Sequence, residues 1–91
     1  MNRGQLIATV AVETGLSKKD AERAVEAVFS AISGALVRQD RVSLVGFGSF
    51  EVRERDARSG RNPRTGLALR IERRKAPVFR AGKPLKSAVN G

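Results

Sequence analysis

The sequence predicts an α+β fold in which two helices precede a set of antiparallel strands. Three observations lead to this prediction. Apolar residues recur with helical spacing up to about residue 38, and the spacing changes to two from Val42 onward. A long basic stretch, residues 53–75, then continues the strand alternation, but after Val52 its first inward positions are acidic rather than apolar. The length of 91 residues suits one domain, residues 1–91.

The first helix has a local signal at each end. Asn2 is followed three positions later by Gln5, which is the spacing of a capping box. The pattern therefore predicts a helix over residues 3–14. Gly15 suits the left-handed position that commonly ends a helix.

The second helix is predicted from Lys18 to about Arg38, with Ser17 as its N-cap. Its apolar stripe is about twice as wide as the roughly 100° that one core contact requires. A helix of this kind packs on two sides, and a partner subunit is the expected second side. The stripe comprises Ala21, Ala24, Val25, Ala27, Val28, Phe29, Ala31, Ile32, Ala35 and Leu36.

Two strands follow the helices. Val42 and Leu44 alternate with polar neighbours, and so do Phe50 and Val52. Between the two pairs, the segment 46–48 has the sequence Gly-Phe-Gly, which predicts a tight turn.

The second of these strands is predicted to extend beyond the core into a long hairpin. After Val52 the inward positions become Glu54 and Asp56, so the strand continues without an apolar face. The segment 60–66 contains two glycines and an Asn-Pro step, which predict a reversal, and a returning strand covers residues 67–71. Each strand of about eight residues would span roughly 25 Å.

The C-terminal segment returns to the body of the protein. Phe79 is expected in the core. Pro84 is compatible with the first turn of a short C-terminal helix. The apolar residues of that helix are Leu85, Ala88 and Val89.

The charge is concentrated in the predicted hairpin. The net charge is +9, with 13 arginines and 5 lysines. Residues 1–50 carry a net charge of +1, whereas residues 53–75 carry +6. This asymmetry indicates a polyanionic partner, and arginine suits phosphate and base edges. The alternative is a soluble protein with a charged surface.

Composition excludes several classes of function. The chain has no cysteine and no histidine, and no carboxylates group as a catalytic pair or metal cage. We therefore expect no enzyme, cofactor, metal or small-molecule substrate. No apolar run approaches the length of a membrane span and no secretory signal precedes the first helix, so we expect a soluble intracellular protein.

Two features of the hairpin have a structural and a functional interpretation. The basic hairpin could be a charged loop or a strand that pairs with another chain, but its alternation and charge favour contact with DNA phosphates. Pro63 could simply fix a turn. Alternatively, it is an apolar wedge that enters a base step and kinks the duplex.

Three separated segments resemble the HU and integration host factor family of bacterial histone-like proteins. They are residues 45–50, the reversal 60–66 and residues 79–83, in the family's order and spacing. The resemblance covers nearly the whole chain and is closest to HU. It implies an intertwined dimer with a helical body, a three-stranded antiparallel sheet in each subunit and a long protruding β-hairpin arm. Residues 1–52 and 76–91 would form the dimer body, and residues 53–75 the arm.

The resemblance also implies a function and a set of sites. The protein would be an architectural DNA-binding protein of the bacterial nucleoid, in the cytoplasm, with little sequence preference. Its arms would hold the minor groove of double-stranded DNA, and Pro63 would intercalate. The DNA contacts would be Arg3, Arg53, Arg55, Arg58, Arg61, Asn62, Pro63, Arg64, Arg70, Arg73, Lys83 and Lys86. The dimer core would contain Phe29, Phe47, Phe50 and Phe79.

Three alternatives accompany this interpretation. Within the family, an integration host factor-like subunit would pair with a paralogous chain and prefer particular sites, whereas the HU-like interpretation favours a homodimer. A helix-turn-helix regulator would use Lys18, Lys19, Glu22 and Arg23 to read bases in a major groove, but the second helix is too apolar to leave a face free. An RNA-binding protein is disfavoured because the arm has no aromatic side chain for base stacking.

Overall fold

The computed structural model describes residues 1–55, 58–71 and 74–91. Its elements in chain order are α1 (Arg3–Thr14), α2 (Lys18–Val37), β1 (Val42–Leu44), β2 (Gly48–Arg55), β3 (Arg58–Arg61), β4 (Ala68–Ile71), β5 (Arg74–Ala81) and α3 (Lys83–Asn90). The chain divides into two units, Met1–Ala35 and Leu36–Gly91. Asp56 and Arg73, which the sequence placed in the arm, lie outside the described residues.

Local capping sets both ends of α1 as predicted. The Asn2 side chain accepts from the Gln5 N–H at 2.9 Å, and the Gln5 side chain accepts from the Asn2 N–H at 2.9 Å. At the other end Gly15 adopts a left-handed conformation with φ 73° and donates to the Ala11 carbonyl. A side chain at this φ would be strained, which explains the glycine.

Helix α2 begins as predicted and ends one residue before the expected Arg38. The Ser17 hydroxyl accepts from the Asp20 N–H at 3.1 Å, which confirms Ser17 as the N-cap. At the C-terminal end Gln39 has a positive φ of 59° and donates to the Leu36 carbonyl, so the reversal ends the helix at Val37.

The helical unit contains a small apolar core. Ile7, Ala21 and Val25 are buried together, and three partly buried residues, Leu6, Val10 and Ala11, pack against them. A cavity of about 260 Å³ remains beside this core, lined by Leu6, Val10, Ala24, Val25, Val28 and Phe29. The wide apolar stripe of α2 is thus only partly covered, and Phe29 stays 43% exposed.

The second unit contains a three-stranded antiparallel sheet in the order β1-β2-β5. Strands β1 and β2 are joined by a turn closed by the Phe47 N–H and the Leu44 carbonyl at 3.0 Å, with Gly46 at φ 85°. The tight turn is confirmed, but its last predicted residue, Gly48, is already the first residue of β2. Strand β2 then pairs with β5 over its full length, from Gly48 opposite Ala81 to Arg55 opposite Arg74.

The predicted hairpin is present as a separate two-stranded sheet of β3 and β4. Its register runs from Arg58 opposite Ile71 to Arg61 opposite Ala68. The reversal occupies residues 62–67, and the returning strand begins at Ala68 rather than Leu67. Helix α3 carries Pro84 in its first turn, as predicted. Among the described residues, no helix has the length and apolar character needed to span a membrane.

Glycine is required at position 48 because the neighbouring strand leaves no room for a side chain, and not because of an unusual backbone conformation. A Cβ atom there would lie 2.5 Å from the Arg80 carbonyl oxygen and 2.6 Å from the ring of Phe79. Both distances are far inside van der Waals contact, so β2 and β5 approach closely only because this side chain is absent. The Gly-Phe-Gly pattern indicates only a turn at Gly48 and does not reveal this close approach of the strands.

We expect Gly48→Ala to destabilise the fold by about 1–3 kcal/mol, because the added methyl group forces β5 away from β2. Gly4→Ala is the control, since its Cβ would meet only the Asn2 side chain at 3.5 Å. Urea unfolding at one fixed protein concentration measures both variants. Equal midpoints would contradict the close-approach explanation.

Candidate nucleic-acid interface

The alternation of β2 and β5 gives the sheet two faces of opposite character. Residues directly opposite each other in antiparallel strands share a face. One face, here the apolar face, contains Val42, Leu44, Phe50, Val52, Pro77, Phe79 and Ala81, and it ends at the opposed charged pair Glu54 and Lys75. The other, here the polar face, contains Ser43, Ser49, Glu51, Arg53, Arg74 and Arg80 together with Ala76 and Val78.

The polar face contains a three-residue ion-pair cluster. A Glu51 carboxylate oxygen lies 3.6 Å from Arg53 Nε and 3.7 Å from Arg80 Nη1. The two guanidinium groups therefore converge on one carboxylate. Their side chains are 57% and 60% exposed, so both remain accessible to a ligand from solvent.

A polar groove of about 360 Å³ adjoins this cluster. Arg41, Arg80 and Lys83 contribute three positive charges to its lining. Arg41 Nη2 donates to the Ser49 hydroxyl at 3.3 Å, which directs this arginine over the polar face of the sheet. Lys83, a sequence-predicted contact, thus lies beside two arginines that the sequence analysis did not select.

The hairpin tip is organised by Asn62. Its side-chain oxygen accepts from the N–H groups of Arg64 at 2.8 Å and Thr65 at 3.4 Å. Its backbone N–H donates to the Leu67 carbonyl and its carbonyl accepts from Gly66, both at 2.8 Å. Pro63 and Arg64 are exposed on this turn. The tip therefore presents an apolar ring beside a cation.

The remaining predicted contacts are spread over several elements. Arg55, Arg58, Arg61 and Arg70 lie in β2, β3 and β4. Lys86 is exposed on α3. Arg3 belongs to the helical unit, where its guanidinium lies 3.2 Å from Glu26 and 6.0 Å from the ring centre of Phe29. Arg3 thus already has an anionic partner within its own unit.

The aromatic residues predicted for the dimer core are only partly covered within one chain. The ring of Phe79 lies 5.4 Å from that of Phe47 and 4.8 Å from that of Phe50. Within one chain Phe79 remains 40% exposed and Phe47 47% exposed. The cause is that the apolar face is larger than one chain covers. Their place in a dimer core remains a prediction.

Three arginines of this surface were missed by the sequence analysis. Arg80 and Arg74 lie opposite Ser49 and Arg55, and Arg41 precedes β1. The available signal was the alternation of side chains along a strand. Once Phe79 is assigned to the apolar face, its neighbour Arg80 must lie on the polar face. That signal becomes decisive only when the register of β2 against β5 is known.

The sheet has one polar and one apolar face, and its strands lead into a basic hairpin with an exposed proline. These features define a class of protein that contacts a polyanion with its strands. The sequence comparison identifies the class further. The family model described as "Bacterial DNA-binding protein" matches residues 1–90. The chain belongs to this family, which confirms the resemblance and the prediction that the chain is not an enzyme.

Individual relatives agree with the family model. The chain is 59% identical over 90 residues to DNA-binding protein HU-1 of Halalkalibacterium halodurans, covering 99% of this chain and 100% of that protein. It is 54% identical to DNA-binding protein HU-beta of Serratia marcescens, with coverage of 99% and 100%. Among solved structures, the Anabaena HU–DNA cocrystal structure matches with a TM-score of 0.90 and 44% identity, covering 98% and 97% of the chains. HU from Thermotoga maritima matches with a TM-score of 0.69 and 31% identity, covering 98% of each chain.

We expect Asn62→Ala to loosen the tip, because the Arg64 and Thr65 N–H groups lose their common acceptor. A hydrogen bond contributes about 0.5–1.5 kcal/mol net, so these amides should exchange roughly two- to tenfold faster. Hydrogen exchange followed by NMR measures the change. Asn90→Ala, which removes a side-chain hydrogen bond to the Lys86 carbonyl at 2.8 Å, is the control. Unchanged exchange at Arg64 would show that Asn62 does not organise the turn.

Proposed function

We propose that the protein is an architectural component of the bacterial nucleoid in the cytoplasm that binds and bends double-stranded DNA with little sequence preference. The observation that carries the proposal is the polar face of the sheet, with Arg53, Arg74 and Arg80 exposed on strands that lead into the basic hairpin. Cations on extended strands neutralise phosphates and give affinity without base recognition.

The relatives support duplex DNA as the ligand. The Anabaena HU was crystallised with DNA, and its structure matches this protein over nearly the whole length of both chains. Two cationic surfaces would contact the duplex: the polar face together with Lys83 and Lys86, and the hairpin with Arg55, Arg58, Arg61, Arg64 and Arg70. Residues 53–75 would act as the arm and the remainder as the body.

A homodimer accounts for the apolar surfaces that one chain leaves exposed. In the described part of the chain, the buried apolar residues are Ile7, Ala21, Val25 and Ala35, which form a very small core for a folded domain. A second subunit would cover the apolar face of the sheet and the stripe of α2, with Phe29, Phe47, Phe50 and Phe79 in its core. Such a dimer carries two arms.

Self-pairing is favoured over the integration host factor-like alternative by the relatives, which are named HU. Specificity would then come from how easily the DNA bends. A nick or gap lowers the cost of deformation, so flexible sites are occupied first. A major-groove contact by a recognition helix is disfavoured, because the arginines that carry the proposal, Arg53, Arg74 and Arg80, lie on strands.

The proposal is tested by binding to a duplex of about 30 base pairs across a salt series, intact and with a central gap. We expect log K to fall by about 0.9 per phosphate neutralised for each unit of log salt. We also expect tighter binding to the gapped duplex, because its bending costs less. A steep salt dependence with no preference for the gap would remove the bending function and leave a DNA-coating protein.

We expect Pro63→Ala to reduce the bend more than the affinity. The exposed proline ring would enter a base step and unstack it, whereas the arginines supply most of the binding energy. Energy transfer between dyes at the two ends of a duplex measures the bend. Pro84→Ala, in the first turn of α3, is the control and should leave the bend unchanged. An unaltered transfer efficiency for Pro63→Ala would exclude intercalation.

A further inference from the structure

Glu51 is an acidic residue in the middle of the surface proposed to contact DNA. Its side chain is 20% exposed, whereas those of its partners Arg53 and Arg80 are 57% and 60% exposed. The carboxylate therefore lies lower on the sheet than the two guanidinium groups that converge on it. All three residues belong to the polar face.

The position of Glu51 is fixed by strand register. It lies on β2 opposite Val78, two residues from Arg53 and two from Ser49, which is opposite Arg80. Two residues along a strand is the spacing of neighbours on one face. The carboxylate therefore shares a face with both arginines, and no change of side-chain conformation moves it to the apolar face.

We propose that Glu51 occupies, in the free protein, the place that a DNA phosphate takes in the complex. It acts as an internal competitor for Arg53 and Arg80 and lowers the affinity for duplex DNA. This inference rests on the proposed function, because it assumes that phosphates approach the polar face.

The chemistry of the two anions is alike. Carboxylate and phosphate oxygens both accept charge-assisted hydrogen bonds from guanidinium groups. When DNA binds, each arginine exchanges a carboxylate for a phosphate and gains less than a free arginine would. The displaced Glu51 keeps its negative charge beside the phosphates, and this charge cancels part of the neutralisation that releases counterions.

Glu51 could instead hold the two arginines in place for DNA, and affinity measurements distinguish this role from competition. If Glu51 only positioned the two arginines, its removal would let them disorder and would weaken DNA binding. A competitor and a positioning residue thus predict changes of opposite sign in affinity. They also predict opposite changes in the steepness of the salt dependence.

The test is Glu51→Gln, which removes the charge and keeps the size and shape of the side chain. Glu13→Gln is the matched control, since it makes the same change in net charge on the exposed surface of α1. Affinity for an intact duplex is measured across a salt series. We expect Glu51→Gln to bind about fivefold more tightly than the control, as two surface ion pairs of ordinary strength would allow. Its slope of log K against log salt should be steeper by up to about one.

The same substitution in a second variant shows whether its effect acts through the two arginines. In a chain carrying Arg53→Gln and Arg80→Gln, Glu51→Gln should raise the affinity clearly less than it does in the unmodified chain, because only the repulsion between the carboxylate and the phosphates is then removed. A gain of the same size in both chains would show a general charge effect and overturn the proposal. If the amide of Glu51→Gln perturbs the strand, Glu51→Ser provides a second test. It should also bind duplex DNA more tightly than the control.

The remaining outcomes are equally decisive. Equal affinities for Glu51→Gln and Glu13→Gln would exclude competition, and weaker binding by Glu51→Gln would establish a positioning role instead. These results leave the proposed function intact as long as the unmodified protein binds duplex DNA with a steep salt dependence. Absence of such binding by the unmodified protein would end both proposals.

Discussion

The pairing of β2 with β5 is the constraint on which the rest of the molecule depends. Its register places Phe50 opposite Phe79 and, one residue away, Ser49 opposite Arg80. A shift of one residue would turn the aromatic rings toward the arginines and remove both faces at once. The close approach at Gly48 resists such a shift, because no other position of β2 offers the missing side chain that β5 requires there.

The two faces of the sheet also depend on each other. A single sheet can devote one side to charge only when the opposite side is covered by apolar material. In this chain Phe47 and Phe79 remain substantially exposed, and the helical unit keeps an unfilled apolar cavity beside Phe29. Dimerisation would therefore both complete the core and leave the polar face free, so that folding and ligand binding use separate surfaces of the same three strands.

Signals that lie within a few residues were predictable from sequence, and those that depend on register were not. The caps at Asn2 and Gly15 gave the bounds of α1, and the alternation gave the strands. In contrast, the convergence of Arg53 and Arg80 on Glu51 joins positions almost thirty residues apart. Gly48 illustrates the same limit, because a glycine beside Gly46 suggests a turn until the opposing strand is known. The arm contacts came from family resemblance, since an exposed arginine carries no local mark of its ligand.

The hydrogen bonds that the described residues make at the hairpin tip join positions within the segment 62–67. Asn62 supplies or receives four of them, and Thr65 accepts one more from the Leu67 N–H at 3.3 Å. None of these bonds reaches the three-stranded sheet. The tip therefore holds its shape through local hydrogen bonds. The segment 61–68 could be grafted onto an unrelated two-stranded ribbon and would still present its proline at the apex.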